Sequence, residues 1–320
     1  MSTKIKNQMK ALDDATAALR RAKRDGCGLL ILTGAGMSVA SGVPVFRHAD
    51  GSMSEEFLAF LQDYNTACRR HGIREADDWF DFSVSRMFRA ETAPQAWAYW
   101  RWRILRARVP PGEDYQALAQ LQDLFGADNC FVITSNCDGL HRPFVAHNHI
   151  QEVHGSLAKL QCSAACCPDL WDADEAFVQR LRDEPNWVPP CPKCQKACLR
   201  PNVMIFQDRT LVETALDEQH VNCEAFRQSH AAGCIVLEIG AGVVVSTIRN
   251  MAEATACRSP VGLVRINPSV AECGDVHPSL VAADKYWPIV ATSVEALPAL
   301  VEGLKSSSEE NGSSPGHITK

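Results

Sequence analysis

No stretch of this 320-residue chain is long and apolar enough to span a bilayer. The most apolar run, Cys234 to Ile248, falls short of a hydrocarbon core and carries Glu238, Gly240 and Gly242 inside it. The first residues, Met-Ser-Thr-Lys-Ile-Lys-Asn, hold no apolar signal core, so the expected compartment is the cytoplasm. Cationic charge is not in excess either. With 32 Lys+Arg against 38 Asp+Glu, the formal net charge is −6. That argues against direct nucleic-acid binding, whose phosphate contacts need a positive surface. The composition, 46% hydrophobic and 22% charged, excludes a wholly disordered chain, a collagen and a coiled-coil rod. The length implies about two domains, or one large domain with an insert. Fourteen cysteines are present, and in a reducing compartment they are not a disulfide framework. Some are expected as buried small hydrophobes and others as metal ligands.

Residues 8–24 place Ala11, Leu12, Ala15, Ala18, Leu19 and Ala22 on one helical face, with arginines and a lysine crowding the end. Gly26 and Gly28 break that helix. Leu29 to Leu32 then reads as a buried strand of a parallel sheet. Similar runs follow at Phe131 to Ile133, Ile150 to Val153, Ile235 to Ile239 and Val261 to Ile266, with Pro288 to Thr292 as a further edge strand. Helical stretches such as Tyr115 to Phe125 and Val294 to Leu304 separate them. The alternation predicts an α/β fold with an open parallel sheet. Two segments interrupt it: residues 46–110, helix-like and aromatic, and residues 157–205, rich in Cys and Pro. Both read as insertions that form a smaller lobe. The polar tail, residues 304–320, is expected to be disordered.

Ligands of open α/β sheets bind at the carboxyl ends of the strands, so the strand exits carry the argument. The first exit is Gly34-Ala35-Gly36-Met37-Ser38, continuing to Phe46 and Arg47. Its glycines permit a tight turn and close backbone approach, so that amide N–H groups face a diphosphate. The third glycine of the usual dinucleotide fingerprint is absent, and no acidic residue follows a second strand. A bound dinucleotide would therefore take a different pose. The second exit holds Ser135, Asn136 and Asp138, and a carboxamide beside a carboxylate can bond both the amide and the hydroxyls of a nucleoside. The third ends in His154, a general base near neutral pH. The fourth ends in Gly240-Ala241-Gly242 and the fifth in Asn267. Separately, Cys191 and Cys194 form a two-residue-spaced knuckle, with Cys162 and Cys166 upstream. Two such pairs suit a tetrahedral thiolate site for one structural Zn2+. Cys167 is an alternative to Cys166, and Cys198 is a spare thiol.

Taken in order, these motifs resemble the sirtuins, the NAD-dependent protein deacylases of the Sir2 family, from about residue 10 to residue 303. Gly34-Ala-Gly-Met-Ser…Ser-Gly-Val-Pro-Val-Phe-Arg47 is similar to GAGxS…GIPDFR, and Thr134-Ser-Asn-Cys-Asp-Gly-Leu-His141 to TQNIDGLH. Val153-His-Gly-Ser156 matches VHGS, and Leu199-Arg-Pro-Asn-Val-Met-Ile-Phe206 resembles LRPxVVxFGE. The resemblance implies a Rossmann-like NAD-binding domain (8–45, 111–156 and 206–303), a helical insert (46–110) and a zinc-binding module (157–205). It implies that Gly34, Ala35, Gly36 and Ser38 line the diphosphate and adjoining ribose. Phe46 and Arg47 would cover the nicotinamide, and Ser135, Asn136 and Asp138 would hold ribose and carboxamide. Gly240, Ala241 and Asn267 would meet the adenosine. Val203, Met204 and Phe206 would pair as a strand with the substrate backbone.

The implied reaction uses NAD+ as co-substrate and an acylated lysine of a protein or peptide as partner. Nicotinamide leaves the ribose, the acyl oxygen captures the sugar, and His154 takes a proton from a ribose hydroxyl. Free lysine and O-acyl-ADP-ribose result. The sequence departs from the family pattern at Val45, Ser135, Cys137, Gln207 and Asp208. Those changes keep two alternatives open: ADP-ribosyl transfer or NAD hydrolysis at the same site, and a non-catalytic NAD or ADP-ribose sensor. The Tyr-x-x-Arg pair of sirtuins that remove acidic acyl groups is unmatched, because Trp102 follows Tyr99 at that spacing. The stretch Trp97 to Arg103 reads as a helix with an aromatic core face and solvated arginines. No motif speaks to oligomeric state.

Overall fold

The structure, a computed structural model, describes residues 3–45, 52–230 and 232–310, with side chains from residue 6 to residue 306. In chain order the regular elements begin with α1 (Thr3–Arg24), β1 (Gly28–Thr33), α2 (Glu55–His71), α3 (Ala93–Arg106) and α4 (Glu113–Phe125). Next come β2 (Cys130–Thr134), β3 (Ile150–Glu152), β4 (Gly155–Cys162), β5 (Trp171–Asp172), α5 (Glu175–Asp183) and β6 (Leu199–Val203). The chain ends with α6 (Thr214–Ser229), β7 (Cys234–Ile239), α7 (Thr247–Arg258), β8 (Gly262–Ile266), α8 (Val270–Gly274), α9 (Pro278–Ala282), β9 (Tyr286–Ile289) and α10 (Ser293–Glu310).

Six strands form one parallel sheet in the order β3-β2-β1-β7-β8-β9. Numbered along the chain within that sheet, this is the order 3-2-1-4-5-6, the doubly wound arrangement whose ligand crevice opens where the order reverses. The reversal lies between β1 and β7. Every residue of those two strands is buried, as expected for central parallel strands covered on both faces. On one face the core joins Ala15, Leu19, Tyr115, Leu118 and Leu300 from α1, α4 and α10. On the other it joins Cys223, Phe226, Ile248, Ala252 and Leu280 from α6, α7 and α9. α10 continues to Glu310, beyond residue 304, where the polar composition predicts a disordered tail; residues 311–320 lie outside the described residues.

A second, three-stranded sheet in the order β5-β4-β6 is antiparallel and belongs to the smaller lobe. Its core is aromatic: Phe57, Phe82, Trp97, Tyr99 and Trp100 pack with Leu157, Leu160, Leu181 and Leu199. Ser54 caps α2 by accepting from the Phe57 amide at 3.3 Å, and Gly72, with φ of 64°, ends it. Among the described residues no helix is long and apolar enough to cross a membrane.

Candidate active site

The first and fourth strand exits meet at the reversal of the sheet. A Cβ on Gly34 would lie 2.7 Å from the Ala241 Cα, and one on Gly36 would lie 2.7 Å from the Gly240 Cα. Gly240 itself has φ of +61°. The two loops touch backbone to backbone, which only glycine permits. The Gly34 amide donates to the Ile239 carbonyl at 2.9 Å and the Gly36 amide to the Gly240 carbonyl at 3.0 Å. The closeness these glycines provide is thus to neighbouring backbone, and their own N–H groups are engaged there. Ala35 is exposed on the rim above them.

Beside this contact lies a buried polar cluster. Ser38 Oγ donates to Asp138 Oδ2 at 2.7 Å and lies 2.9 Å from the Tyr115 hydroxyl. Asn136 Nδ2 donates to Ser38 Oγ at 3.0 Å and to the Gly34 carbonyl at 2.9 Å, so the carboxamide oxygen is the atom left to turn to a ligand. Asp138 also accepts from the Leu140 amide at 3.0 Å, an Asx turn that fixes its rotamer. Burial pushes the Asp138 carboxyl up from the usual range, opposed by the Leu140 amide, the Ser38 hydroxyl and the charge of Arg103. Beneath the cluster, Thr33 Oγ1 bonds Thr134 Oγ1 at 2.8 Å and His141 Nε2 at 2.8 Å. Burial pushes the His141 imidazole down to about 3.

His154 stands where the chain leaves the large sheet for the small one. The Val153 amide donates to the Thr134 carbonyl at 2.9 Å, and the His154 carbonyl accepts from the Met204 amide at 2.9 Å. Gly155, with φ of +78°, makes the turn; a Cβ there would lie 2.1 Å from the Asn202 carbonyl oxygen. The imidazole Nε2 lies 3.3 Å from Thr247 Oγ1. Burial holds this ring below the usual histidine range, partly opposed by a hydrogen bond to the Ser135 backbone. A neutral ring at pH 7 is the form that can accept a proton.

The segment expected to pair with substrate is divided. Val203 is buried within β6 and pairs with Gly155, whereas Met204 and Phe206 are exposed. The Phe206 amide donates to the Ser83 carbonyl at 2.7 Å, and its carbonyl accepts from the Ser85 amide at 3.3 Å, so one backbone edge of Phe206 is already taken by the helical insert. Its ring packs 4.6 Å from Phe80 and 5.4 Å from Trp79. Gln207 adopts φ of 56°, the left-handed conformation that suits the glycine of the family pattern. Asp208 forms a buried ion pair with Arg200 and accepts from Thr210, which pins the turn.

Asn267 reaches the fifth exit, but its side chain is bonded within the fold. Nδ2 donates to Glu272 Oε2 at 2.7 Å and to the Ala241 carbonyl at 3.2 Å, and Oδ1 accepts from the Ser269 amide at 2.9 Å. Phe46 and Arg47 lie outside the described residues. Arg103 corrects the reading of solvated arginines on α3: its Nη1 donates to the Tyr99 hydroxyl at 3.1 Å, and its charge acts on Cys137 and Asp138. A tyrosine and an arginine thus meet at a spacing of four, not three. Thr134 belongs to the Thr134–His141 motif, but Tyr115 and Thr247 had no signal in the sequence, because a single hydroxyl within a helix reads as ordinary packing.

In the small lobe the sulfurs of Cys162, Cys166, Cys191 and Cys194 all lie within 4.8 Å of one another. Cys162 and Cys194 are 3.9 Å apart, and Cys166 and Cys191 are 3.7 Å apart. A tetrahedron with Zn–S of about 2.3 Å has an edge of about 3.8 Å, so the four thiols have the spacing that zinc requires. Backbone amides of Lys196 and Ala197 draw the Cys194 thiol down to about 6, toward the thiolate a metal needs. Cys166 rather than Cys167 completes the set; Cys167 Sγ lies behind it at 3.7 Å.

The sequence profile of the Sir2 family matches residues 34–245. A relative from Corynebacterium glutamicum, named NAD-dependent protein deacylase, is 25% identical over 300 residues, covering 93% of this chain and 97% of its own. A relative of the same name from Thermus thermophilus is 28% identical over 263 residues, covering 81% and 85%. Among solved structures, a Sir2 homologue mutant in complex with ADP-ribose superposes with a TM-score of 0.57 at 23% identity, covering 88% of this chain and 93% of that one. A sirtuin studied for the structural basis of substrate affinity superposes with a TM-score of 0.60 at 20% identity, covering 88% and 96%. Profile, relatives and fold agree, and the chain belongs to the Sir2 family.

Proposed function

We propose that the protein is an NAD-dependent protein-lysine deacylase. The observation that carries this reading is the half-buried His154, set at a strand exit beside the Ser38–Asn136–Asp138 cluster. A long match to curated relatives that bear the deacylase name supports it. The donor set also suits the co-substrate. A carboxylate and a carboxamide oxygen stand together at the mouth of a glycine-lined cleft, where ribose hydroxyls and an aromatic carboxamide need partners. Bound NAD+ supplies a ribose carbon that becomes electrophilic as nicotinamide leaves and that the acyl oxygen of a modified lysine captures.

The chain's own residues do the rest. Asp138 and Asn136 orient the sugar and the carboxamide, with Ser38 and Tyr115 fixing both side chains. His154 accepts a proton from a ribose hydroxyl. Ala35 and Ser135 form the rim, and Gly34, Gly36, Gly240, Ala241 and Asn267 shape the diphosphate and adenosine end through their backbone. Met204 and Phe206 meet the substrate chain, with Val203 holding them in register. Zinc, held by Cys162, Cys166, Cys191 and Cys194, is structural. A cytoplasmic setting belongs to the same reading, since four thiols must stay reduced to hold the ion.

The test is an incubation of purified protein with NAD+ and an acetyl-lysine peptide, all products being detected by mass. Deacetylated peptide with O-acetyl-ADP-ribose, lost in His154→Ala, is the expected result. Free ADP-ribose with unchanged peptide, or ADP-ribosylated protein, would replace the deacylase reading with hydrolysis or transfer.

A further inference from the structure

Thr247 is the first residue of α7, a helix that starts at the carboxyl end of β7 and so opens onto the same cleft as His154. Its neighbour Ser246 occupies the N-cap position and accepts from Asn250 Nδ2 at 3.1 Å. Thr247 has no part in that cap. Its hydroxyl turns instead to His154 Nε2, 3.3 Å away across 93 residues of sequence. The same ring bonds the Ser135 backbone, so it is gripped from two elements, the β2 exit and the start of α7.

We propose that Thr247 is a positioning residue for His154: in the ligand-free chain its hydroxyl donates to Nε2 and holds the imidazole in one plane and in the neutral tautomer, with the proton on the nitrogen that faces Ser135, until a ribose hydroxyl takes its place at Nε2. The role rests on reading His154 as the base of the proposed reaction. Two physical points support it. A carbonyl accepts only, so a ring nitrogen bonded to the Ser135 carbonyl bears the proton and leaves the other as acceptor. A hydroxyl has a proton to give to that acceptor, and the positive pole at the start of a 12-residue helix acts in the same direction by disfavouring an imidazolium. No charged side chain is among the causes acting on the His154 ring: burial lowers it and the Ser135 backbone partly opposes that. The titratable neighbour Cys137 reaches only the His154 backbone carbonyl, at 3.6 Å.

The experiment compares wild type, Thr247→Val and Thr247→Ser. The His154 ring is titrated by NMR in the full, ligand-free chain, and the pH profile of deacylation is recorded alongside. Loss of one hydrogen bond to the neutral ring should raise the His154 midpoint by roughly half to one pH unit in Thr247→Val. Thr247→Ser should restore it. The acid limb of kcat/KM, which reports the free enzyme, should move up in parallel, giving a several-fold loss at pH 6 that narrows toward pH 8. An unmoved titration in a folded Thr247→Val protein would overturn the positioning role. So would a shift that serine fails to rescue. If the titration moves as expected but the wild type deacylates nothing, the assigned reaction fails while the contact between Thr247 and His154 stands.

Discussion

The two lobes are held together by different physics. The large sheet is built mainly of buried apolar strands with helices on both faces, and its stability comes chiefly from apolar area removed from water, although its edge strand β9 is half-buried and a buried Arg265–Glu238 ion pair joins β8 to β7. The small lobe has only three strands, and their buried positions include Gln161, Arg200 and Asn202. It relies on an aromatic cluster, on hydrogen bonds such as Asn202 Nδ2 to Gln161 Oε1 at 2.8 Å, and on four cysteines gathered at metal spacing. One lobe folds through area and the other needs a staple, and His154 sits on the strand-to-strand crossing between them.

Removing the staple should give the largest effect. Six of the seven tryptophans, Trp79, Trp97, Trp100, Trp102, Trp171 and Trp187, lie in the small lobe, with Trp287 alone in the large sheet. A strong chelator, or Cys191→Ser, should therefore change near-ultraviolet circular dichroism and tryptophan fluorescence strongly. Most far-ultraviolet signal from the large sheet and its helices should persist. Structural zinc contributes on the order of 10 kcal/mol in small metal-dependent folds. Equal loss of both signals would show that the lobes do not differ in this way.

The crossing itself comes next. Gly155→Ala places a methyl group against the Asn202 carbonyl and demands a left-handed backbone of an L-residue. It should cost more than about 4 kcal/mol, a value reserved for a few mechanisms of which this clash is one. Gly26→Ala also needs a left-handed backbone but meets open space, so about 1 kcal/mol is expected there. Urea midpoints of the two variants check the contrast, and similar values would remove the special status of the crossing.

A smaller, pH-dependent effect is confined to the large lobe. His141 is pushed down to about 3 by burial, whereas the unfolded chain titrates near the ordinary histidine value. The unfolded state therefore binds the extra proton first as pH falls. Above about pH 6.5 this group gives no pH dependence; below it stability falls until about pH 3. Between pH 7 and pH 5 the loss should be about 2 kcal/mol, and it should shrink in His141→Gln. The smallest effect is expected at Gln207, where glycine relieves the left-handed strain but loosens the unfolded chain. Gln207→Gly should stabilise by about 1 kcal/mol or less, read as a small rise in melting temperature.

The sequence makes the large sheet legible because parallel strands buried on both faces are continuous apolar runs, and all six of its strands stand where such runs occur. The ends drift by one to three residues: β3 stops at Glu152 rather than Val153, and β9 spans Tyr286–Ile289 rather than Pro288 to Thr292. α6 and α7 are harder to read. Their buried residues include Gln219 and Arg249, the latter bonded to the Glu272 carbonyl, so no clean apolar stripe exists. The four zinc-spaced cysteines are legible as a motif, but the choice of Cys166 over Cys167 needs three dimensions. The strand exits announce Ser38, Asn136, Asp138 and His154. The partners that orient them, Tyr115, Thr247 and Arg103, come from distant helices and carry no local signal.

The central claim is that the cleft beside His154 takes up an oxidised pyridine nucleotide. Titration calorimetry of zinc-replete, folded protein with NAD+ tests it directly. The account predicts saturable heat with one site per chain, weakened at least tenfold by Asp138→Asn or Asn136→Ala in variants that melt like the wild type. No binding heat at several temperatures, or binding indifferent to both substitutions, would contradict it.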